Sequence, residues 1–287
     1  MPPPNHSFVP GFTGNFAIWR QALQQSAYFN NSLRILAAAT AAILLFLAAP
    51  AAQAAAHDQA AAQKKAMEKT VREYLLKNPQ VLIDSIQALR QKEEAQAKRS
   101  VSQNLELMRG SLENNPQTPV GGNIKGDVAF IEFFDYRCPY CKRVSPYVMK
   151  LIKEDGNIRY VFKEFPILGP QSVVASKAAL AAWYQDKTKY MSFHMLMMKN
   201  KGGLTTKKIM DYAARAGLDV KKLKQGMDSD RVKAEISRNA QAARALNING
   251  TPTFIIGKTI VPGALSKADL KDLVKTVRTN NAKKGKK

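Results

Sequence analysis

Apolar residues recur at helical spacing in the region that precedes the first strand-like run of the chain. The segment 55–114 is rich in Ala, Gln, Glu, Lys and Arg, and Asn78-Pro79 interrupts it, which predicts two consecutive helices. The second helix has two apolar stripes with i, i+4, i+7 spacing, separated by the polar run QKEEAQAKRS. The stripes are Leu82, Ile86 and Leu89, then Val101, Leu105, Met108 and Leu112. We therefore predict a helical extension over 55–114.

Two interpretations of this extension are open. Its helices can pack on the domain that follows them, as amphipathic helices commonly do. They can instead form an oligomerisation stalk, because the polar middle of the second helix has little apolar surface to bury within one chain. The periodicity is too short to establish a coiled coil.

After the extension, the pattern changes to short apolar runs. Turn-forming residues dominate 115–126, which predicts a linker. The apolar and aromatic run 128–134 is typical of a central strand, and 158–162 predicts a second strand beyond an intervening helix. Polar and Gly-containing breaks divide 169–247 into several helices.

The C-terminal region returns to strand patterns. The runs 253–257 and 259–261 predict a hairpin, and a last helix is expected from Ser266 to Arg278. The domain 127–279 is therefore predicted to be an α/β fold with a helical insertion. The basic tail NNAKKGKK, 280–287, is expected to be disordered.

The N-terminal segment 1–54 has the organisation of a signal peptide. An uncharged apolar run spans 35–49, follows Arg34, and precedes an A-x-A site at Ala52-Gln53-Ala54. The run is short for a permanent membrane span, although an uncleaved anchor is the alternative. The sequence thus predicts export to the periplasm.

The composition of the chain is strongly basic. The chain has 287 residues, 45% hydrophobic and 23% charged, as expected of a globular protein, and its formal net charge is +22. Such a balance suits nucleic acid, an anionic membrane surface or acidic substrates. Because the protein is expected to be exported, we predict no nucleic-acid partner.

The candidate chemistry lies in the two cysteines of the chain, Cys138 and Cys141. They stand where a predicted strand ends and a helix begins, and the N-terminal end of a helix stabilises a thiolate. Cys138 is expected to have a lowered pKa and to attack, while Cys141, one turn further, is expected to be more buried and to resolve the intermediate. Pro139 suits the first helical turn.

Three other roles are open to a cysteine pair. A disulfide across so short a loop constrains the unfolded chain little. A structural zinc site needs four ligands, and His6, His57 and His194 form no ligand pair, so no metal is predicted. Two inert thiols would not stay unpaired in an oxidising compartment. A redox-active pair is the prediction, and thiol–disulfide exchange needs no organic cofactor.

The motif FFDYRCPYC at 133–141, together with GTPTF at 250–254, resembles the DsbA-like branch of the thioredoxin superfamily, a group of exported thiol–disulfide oxidoreductases. The resemblance implies a thioredoxin fold for 127–279, with 169–247 as its helical insertion. It also implies an active-site loop and client groove formed by Pro139, Tyr140, Thr251 and Pro252.

In that family the proline that matches Pro252 is cis and faces the cysteines, whereas the residues alone also allow an ordinary trans turn proline. A threonine at the position of Thr251 resembles the isomerase branch. The helical extension resembles the oligomerising extensions of isomerase-type members. These features leave both oxidase and isomerase open.

Weaker hypotheses concern two further sites. Glu132 lies in a strand expected to be covered on both faces, so it is a candidate buried proton relay for Cys141, as in the family; the alternative is an exposed Glu or an ion pair with Lys163. Four methionines beside His194 could bind copper, although core or groove packing is the favoured explanation because Met commonly fills gaps in helices. These are Met191, Met195, Met197 and Met198.

The sequence thus predicts an exported oxidoreductase that forms or isomerises disulfides. Its expected partners are cysteine-containing exported clients, a membrane redox partner that recycles the cysteine pair, and further copies of itself through the N-terminal helices. The alternative is a chaperone-like or copper-binding exported protein in which the cysteines are secondary.

Overall fold

The computed structural model describes residues 58–284, with side chains to 283. The predicted signal segment 1–54 and the last residues of the predicted tail, 285–287, lie outside the described residues. The chain divides into two compact units, one ending at Leu89 and one beginning at Arg90.

The N-terminal unit is helical, as predicted. Helix α1 spans 58–77, and α2 (Gln80–Asn114) begins in this unit and continues into the next. The chain breaks at Asn78-Pro79, where the Asn78 side chain donates to the Tyr74 carbonyl at 2.9 Å. Large apolar side chains in this unit are exposed: Met67, Val71, Tyr74, Leu76, Val81, Leu82, Ile83, Ile86 and Leu89.

The second unit contains a mixed sheet and its covering helices. The strands are β1 (Val120–Gly122), β2 (Val128–Phe134), β3 (Ile158–Glu164), β4 (Thr253–Ile256) and β5 (Thr259–Pro262). The helices after α2 are α3 (Pro139–Asp155), α4 (Pro170–Gln185), α5 (Lys187–Met198), α6 (Thr206–Arg215), α7 (Val220–Met227), α8 (Asp230–Ala245) and α9 (Lys267–Lys284).

The sheet has the order β1-β3-β2-β4-β5. Strands β2 and β3 are parallel and joined by α3, while the other neighbours are antiparallel. Helices α4 to α8 are inserted between β3 and β4. This architecture confirms the predicted thioredoxin fold with a helical insertion and a preceding helical extension.

The two faces of the sheet are covered by different helices. One face packs on α3 and the insertion, in a core that includes Phe130, Phe162 and both cysteines. The other face carries Ile131 and Phe133, which pack with α8 and with Leu105 of α2. The C-terminal stripe of α2 is therefore part of the second unit, and the interpretation that the helix packs on its own domain is correct for this half.

Three details of the predicted organisation are wrong. The segment 115–126 is not only a linker, because it supplies β1, whose Val120 pairs with Val161. Helix α7 was not predicted, since its sequence VKKLKQGM has one fully buried apolar residue, Leu223. The predicted tail begins as helix, because α9 continues to Lys284.

No helix in residues 58–284 is long and apolar enough to cross a membrane.

Candidate functional site

The predicted reactive cysteine lies at the carboxyl end of β2. Cys138 is the N-cap of α3, with an extended backbone, and Pro139 occupies the first turn of that helix. The Cys138 N–H donates to the Asp135 carbonyl at 3.0 Å, and the Cys138 sulfur accepts from the Cys141 N–H at 3.4 Å. The sulfur therefore takes the place of a capping oxygen, where the free N–H groups of the helix end favour negative charge.

Hydrogen bonds to this sulfur lower the pKa of the Cys138 thiol to about 6. The largest contribution is the hydrogen bond from the Cys141 thiol, which outweighs the opposing effect of burial. The Thr251 side chain and the backbone N–H groups of Tyr140 and Cys141 contribute further. At neutral pH the thiolate is the main form, and the thiolate is the nucleophile of cysteine chemistry.

Both cysteines are buried, but Cys138 keeps 4% of its surface exposed and Cys141 has none exposed. Its side chain is fully buried on the inner side of α3, and burial raises the pKa of the Cys141 thiol far above its ordinary range. Both cysteines are free thiols in this structure. The pair therefore combines one anionic sulfur with one protonated sulfur beneath it.

The loop before β4 reaches the cysteines. The Thr251–Pro252 peptide bond is cis, as the resemblance implied. Because β4 pairs with β2 through Phe133 and Thr253, this loop lies beside the end of β2. In its protonated form, the Cys138 thiol donates to the Thr251 carbonyl at 3.2 Å. Thus the structure brings Thr251, which is distant in sequence, to Cys138, and Pro252 follows it through the cis bond.

The outer side of the cysteine loop is exposed. The ring of Tyr140 is 54% exposed, and the Arg143 guanidinium lies 5.2 Å from its centroid. Such cation–π contacts hold an exposed ring in one orientation.

Glu132 and Lys163 are both buried but do not meet. In the parallel pairing of β2 and β3, Glu132 is opposite Phe162, and Lys163 is opposite Phe133. Paired residues share a face of a sheet and consecutive residues alternate, so the two charged side chains lie on opposite faces. The alternative of an ion pair between Glu132 and Lys163 is therefore wrong.

Glu132 lies on the face that carries the cysteines. The Tyr160 hydroxyl donates to its carboxyl group, and burial raises the pKa of Glu132 to about 8. Glu132 in turn raises the pKa of Cys141. A carboxyl group that is mostly protonated at neutral pH near a buried thiol has the properties of a proton relay.

Lys163 belongs to a separate polar cluster on the opposite face. Its ammonium group donates to Thr118 Oγ1 at 3.0 Å, and the Thr118 hydroxyl donates to the buried Glu235. Burial lowers the pKa of Lys163 to about 8. These contacts separate Lys163 from Cys141 by the thickness of the sheet.

The sequence analysis did not identify the role of Asp135. This carboxylate is fully buried and accepts hydrogen bonds from the N–H groups of Arg137, Ile167 and Leu168 at 2.8, 2.9 and 3.0 Å. It therefore joins the cysteine loop to the loop between β3 and α4. The bond to the residue two positions ahead is a common Asp turn and could have been anticipated; the bonds to the second loop could not.

Two of the four methionines beside His194 are buried in the core, and Met191 packs against it. His194 is buried against Phe134 and Tyr136, its Nδ1 lies 2.9 Å from the Tyr136 hydroxyl, and burial lowers its pKa to about 3. Met197 and Met198 are buried in the same cluster. In the part of the chain that the structure describes, no three His, Cys, Asp or Glu side chains converge as metal ligands.

The fold and the cysteine pair define a thioredoxin-fold dithiol protein. A family model described as thioredoxin matches residues 114–276, more than half of the chain, and one described as the copper resistance protein ScsC N-terminal domain matches residues 63–96. The chain therefore belongs to the thioredoxin family.

Solved structures agree with this assignment. A thioredoxin-like oxidoreductase from Silicibacter pomeroyi DSS-3 is 41% identical, with a TM-score of 0.58 over 60% of this chain and 98% of its own. ScsC from Proteus mirabilis in a transitional conformation is 30% identical, with a TM-score of 0.58 over 77% of this chain and 99% of its own. A periplasmic thioredoxin-like protein from Salmonella enterica serovar Typhimurium is 29% identical, with a TM-score of 0.52 over 60% and 95% of the two chains.

Curated relatives include longer proteins. The Na(+)/H(+) antiporter NhaA 1 of Salinispora arenicola is 31% identical over 139 residues, which are 48% of this chain and 21% of the antiporter. The chain thus spans about a fifth of that relative. Disulfide bond formation protein D of Bacillus subtilis is 22% identical over 166 residues, which cover 54% of this chain and 75% of the relative.

Proposed function

We propose that this protein is an exported thiol–disulfide oxidoreductase that forms or isomerises disulfide bonds in client proteins through Cys138 and Cys141. The observation that carries the proposal is the contrast between the two thiols. The pKa of Cys138 is lowered to about 6, while Cys141 is buried behind it with a raised pKa. This contrast assigns attack to Cys138 and resolution to Cys141.

The exchange balances without a cofactor. When the pair is oxidised, a client thiolate attacks Cys138, the Cys138–Cys141 bond breaks, and its electron pair leaves on Cys141. A second client thiolate then attacks the client sulfur of the mixed disulfide and releases the Cys138 thiolate. Two electrons pass from the client dithiol to the protein. In the reduced state, the Cys138 thiolate attacks a wrong client disulfide, and one client thiolate leaves. A different client thiolate then attacks the client sulfur of the mixed disulfide, forms the new bond and releases the Cys138 thiolate.

Glu132 is suited to the steps in which Cys141 gains or loses its thiol proton. We propose that its carboxyl group supplies the proton that the Cys141 thiolate takes up on reduction, and accepts it when Cys141 attacks. Thr251, Pro252, Pro139 and Tyr140 are proposed to contact the client around its cysteine, because they border the Cys138 sulfur. Lys163 is not part of this relay, since it lies on the other face of the sheet.

The test is oxidation of a reduced cysteine-containing protein and refolding of scrambled ribonuclease A by the purified chain. We expect Cys138→Ser to abolish both activities and Cys141→Ser to accumulate a mixed disulfide at Cys138. Activity that survives in Cys138→Ser, or a mixed disulfide formed through Cys141, would reject the assignment. A protein without thiol activity that still prevented aggregation would be chaperone-like.

The N-terminal helices support an isomerase that acts as an oligomer. Nine large apolar side chains between Met67 and Leu89 are exposed in the single chain, and such a surface is typical of an interaction site. Joining several catalytic domains raises the concentration of thiols near one bound client. We propose that α1 and the start of α2 join copies of the chain, and Thr251 is consistent with isomerase activity.

Light scattering tests this assembly. The double variant Leu82→Ser, Leu89→Ser is expected to be monomeric and to lose scrambled-ribonuclease refolding while it still oxidises small peptides. The matched control is Leu107→Ser, because Leu107 is 85% exposed on the later part of α2. If the wild-type protein is already monomeric, the proposed assembly is wrong, and a monomeric oxidase remains as the function.

The N-terminal sequence and the similarity to known proteins support export of this chain. We propose that 1–54 is a cleaved signal peptide, that the mature chain works in the periplasm, and that a membrane redox protein recycles its cysteines. The similarity to a Salmonella protein described as periplasmic supports this location. Mass spectrometry of the chain recovered from a periplasmic fraction should give an N-terminus near Ala55, whereas retention in the membrane fraction would identify an uncleaved anchor.

A further inference from the structure

A second buried carboxyl group lies on the face of the sheet that carries the cysteines. Glu164 ends β3, is opposite Phe134 of β2, and has no exposed surface. One of its oxygens is 3.1 Å from the Tyr136 hydroxyl, and the other accepts a hydrogen bond from the Ser176 hydroxyl at 2.7 Å. The proposed disulfide exchange gives this carboxyl group no role.

The surroundings of Glu164 hold its carboxyl group in the neutral form. Burial is the largest cause that raises the pKa of Glu164 well above its ordinary range, and the charge of the buried Asp135 carboxylate acts in the same direction. A neutral carboxyl group donates one hydrogen bond in addition to those that its oxygens accept. Glu164 therefore has a proton to offer inside the core.

The Tyr136 hydroxyl connects Glu164 to a buried imidazole. This hydroxyl lies 2.9 Å from Nδ1 of His194, and burial keeps that ring neutral by lowering its pKa to about 3. A hydroxyl group has one proton, so between two partners it donates to one and accepts from the other. Because Ser176 occupies the second oxygen of Glu164, the carboxyl proton is available to Tyr136.

Tyr136 directly follows the residue whose backbone contacts both cysteines. The Asp135 carbonyl accepts the Cys138 N–H at 3.0 Å, and the Asp135 N–H donates to the Cys141 sulfur. A shift of Tyr136 would move these backbone groups and the two thiols with them. It would weaken the hydrogen bond from the Cys141 thiol, which is the largest cause of the lowered pKa of Cys138.

We propose that Glu164 is a positioning residue for the cysteine pair. Its carboxyl group donates to the Tyr136 hydroxyl, which donates to Nδ1 of His194, and this chain anchors the segment 135–137 that holds both sulfurs. Glu164 touches neither sulfur and exchanges no proton with a client. The proposal rests on the proposed function of Cys138 and explains how the two thiols are kept at hydrogen-bond distance.

Three substitutions in the full chain test this role. Tyr136→Phe removes only the hydroxyl, Glu164→Leu removes the proton and both oxygens, and Glu164→Gln keeps an uncharged donor and an acceptor. We expect Tyr136→Phe and Glu164→Leu to raise the pKa of Cys138 by about one unit, the size expected for one hydrogen bond to an anion. Glu164→Gln should keep the wild-type value. Thiolate absorbance against pH measures all three.

The equilibrium with glutathione is the second readout. A thiolate stabilises the reduced form, so a rise of about one unit from a pKa of about 6 should shift the equilibrium at neutral pH toward the disulfide about fivefold. A substitution that destabilises both redox forms equally leaves this equilibrium unchanged. The measurement therefore distinguishes a positioning role from a general loss of stability.

Tyr190 supplies the matched control. It is buried in the same cluster, its ring stacks on His194, and its hydroxyl lies 3.5 Å from Glu164, but it belongs to α5. Tyr190→Phe should therefore leave the Cys138 pKa and the glutathione equilibrium at their wild-type values. Heteronuclear NMR checks the direction of the chain, because His194 should carry its proton on Nε2. The signal is identified by its loss in His194→Gln.

Four results would overturn the proposal: a wild-type Cys138 pKa in Tyr136→Phe, an equal rise in Tyr190→Phe, a Glu164→Gln protein that behaves like Glu164→Leu, or a proton on Nδ1 of His194. If Glu164→Leu does not fold, Tyr136→Phe and Glu164→Gln decide. If the cysteines of the wild-type protein do not react with oxidised glutathione, the proposed function fails. If they react and the variants do not differ, only the positioning role fails.

Discussion

Glu132 and Lys163 lie in adjacent strands one position out of register, so that two buried ionisable groups of opposite charge are held on opposite faces of one sheet. Burial is the largest cause of both pKa shifts and moves both values to about 8, upward for the acid and downward for the base. They therefore make the stability of the fold depend on pH in opposite directions.

Glu132→Gln is expected to change the pH dependence of stability. The folded protein holds a proton on Glu132 up to a pKa of about 8, whereas the ordinary pKa is 4.5. The stabilisation from this proton is complete below the ordinary value and is lost as the pH rises through 8. Relative to wild type, the free energy of unfolding of Glu132→Gln should rise by a few kcal/mol, on the order of one per pH unit, across this range. Urea denaturation at several pH values measures it.

Lys163→Met is the control with the opposite sign. The folded-state pKa of Lys163 is lowered from 10.5 to about 8, so its contribution is present above the ordinary value and is lost as the pH falls through 8. The stability of Lys163→Met relative to wild type should therefore rise toward lower pH. If the difference in unfolding free energy from wild type changed with pH in the same direction for both variants, these groups would not titrate as described.

A second prediction separates the sources of the lowered Cys138 pKa. The first cause is the hydrogen bond from the Cys141 side chain. Cys141→Ser keeps a donor at this position and should keep the pKa low, whereas Cys141→Ala should raise it by roughly one unit, the size expected for one hydrogen bond to an anion. Thiolate absorbance against pH gives both values. Equal pKa values in the two variants would assign the shift to the helix end alone.

A third prediction concerns the proposed relay. The rate at which Cys141 resolves a mixed disulfide should increase with pH through the Glu132 pKa of about 8, because the carboxylate then accepts the thiol proton. Glu132→Gln should lose this step and be at least about tenfold slower. In Tyr160→Phe the step should move to higher pH, since the Tyr160 hydrogen bond lowers the pKa of Glu132. A profile that Glu132→Gln does not alter would remove this residue from the reaction.

The fourth prediction tests the two halves of α2. Leu112 is buried against the sheet with 2% of its surface exposed, whereas Leu107 on the same helix is 85% exposed. Leu112→Ala should lower the free energy of unfolding of the second unit by about 2–5 kcal/mol, and Leu107→Ala by less than about 0.5 kcal/mol. Comparable losses would mean that α2 does not pack as described.

The same packing sets the boundary of the catalytic domain. A chain that begins at Arg90 keeps the whole second unit and should stay folded with reactive cysteines. A chain that begins at Asn115 lacks Leu105 and Leu112, so it should expose the second core and unfold at lower urea. Circular dichroism during denaturation compares the two.

The cysteine motif and the strand patterns were sufficient to predict the fold and the placement of the candidate site. Local sequence determines the end of β2 and the start of α3, and the resemblance correctly implied the cis bond at Pro252. Strand β1 could not be predicted, because Val120–Gly122 is strand only through its pairing with β3. Pairing also decides that Glu132 and Lys163 are apart, since sequence spacing alone does not give the register.

Contacts between distant segments were the other part that the sequence did not reveal. The Asp135 carboxyl group accepts hydrogen bonds from Ile167 and Leu168, which are 32 and 33 residues away in the sequence. The two stripes of α2 look alike in sequence, yet one is buried and the other exposed, because only the second half of the helix lies on the sheet.

The edges of the sheet offer few backbone groups for pairing with another polypeptide. Edge strand β1 has three residues, and edge strand β5 has four and ends at Pro262, which has no N–H group to offer. An unfolded polypeptide can therefore form few backbone hydrogen bonds with β1 or β5. Growth of an aggregated sheet from these edges is disfavoured. If the proposed function is correct, misfolded clients held at Cys138 would find little sheet edge on this protein to which their own strands could add.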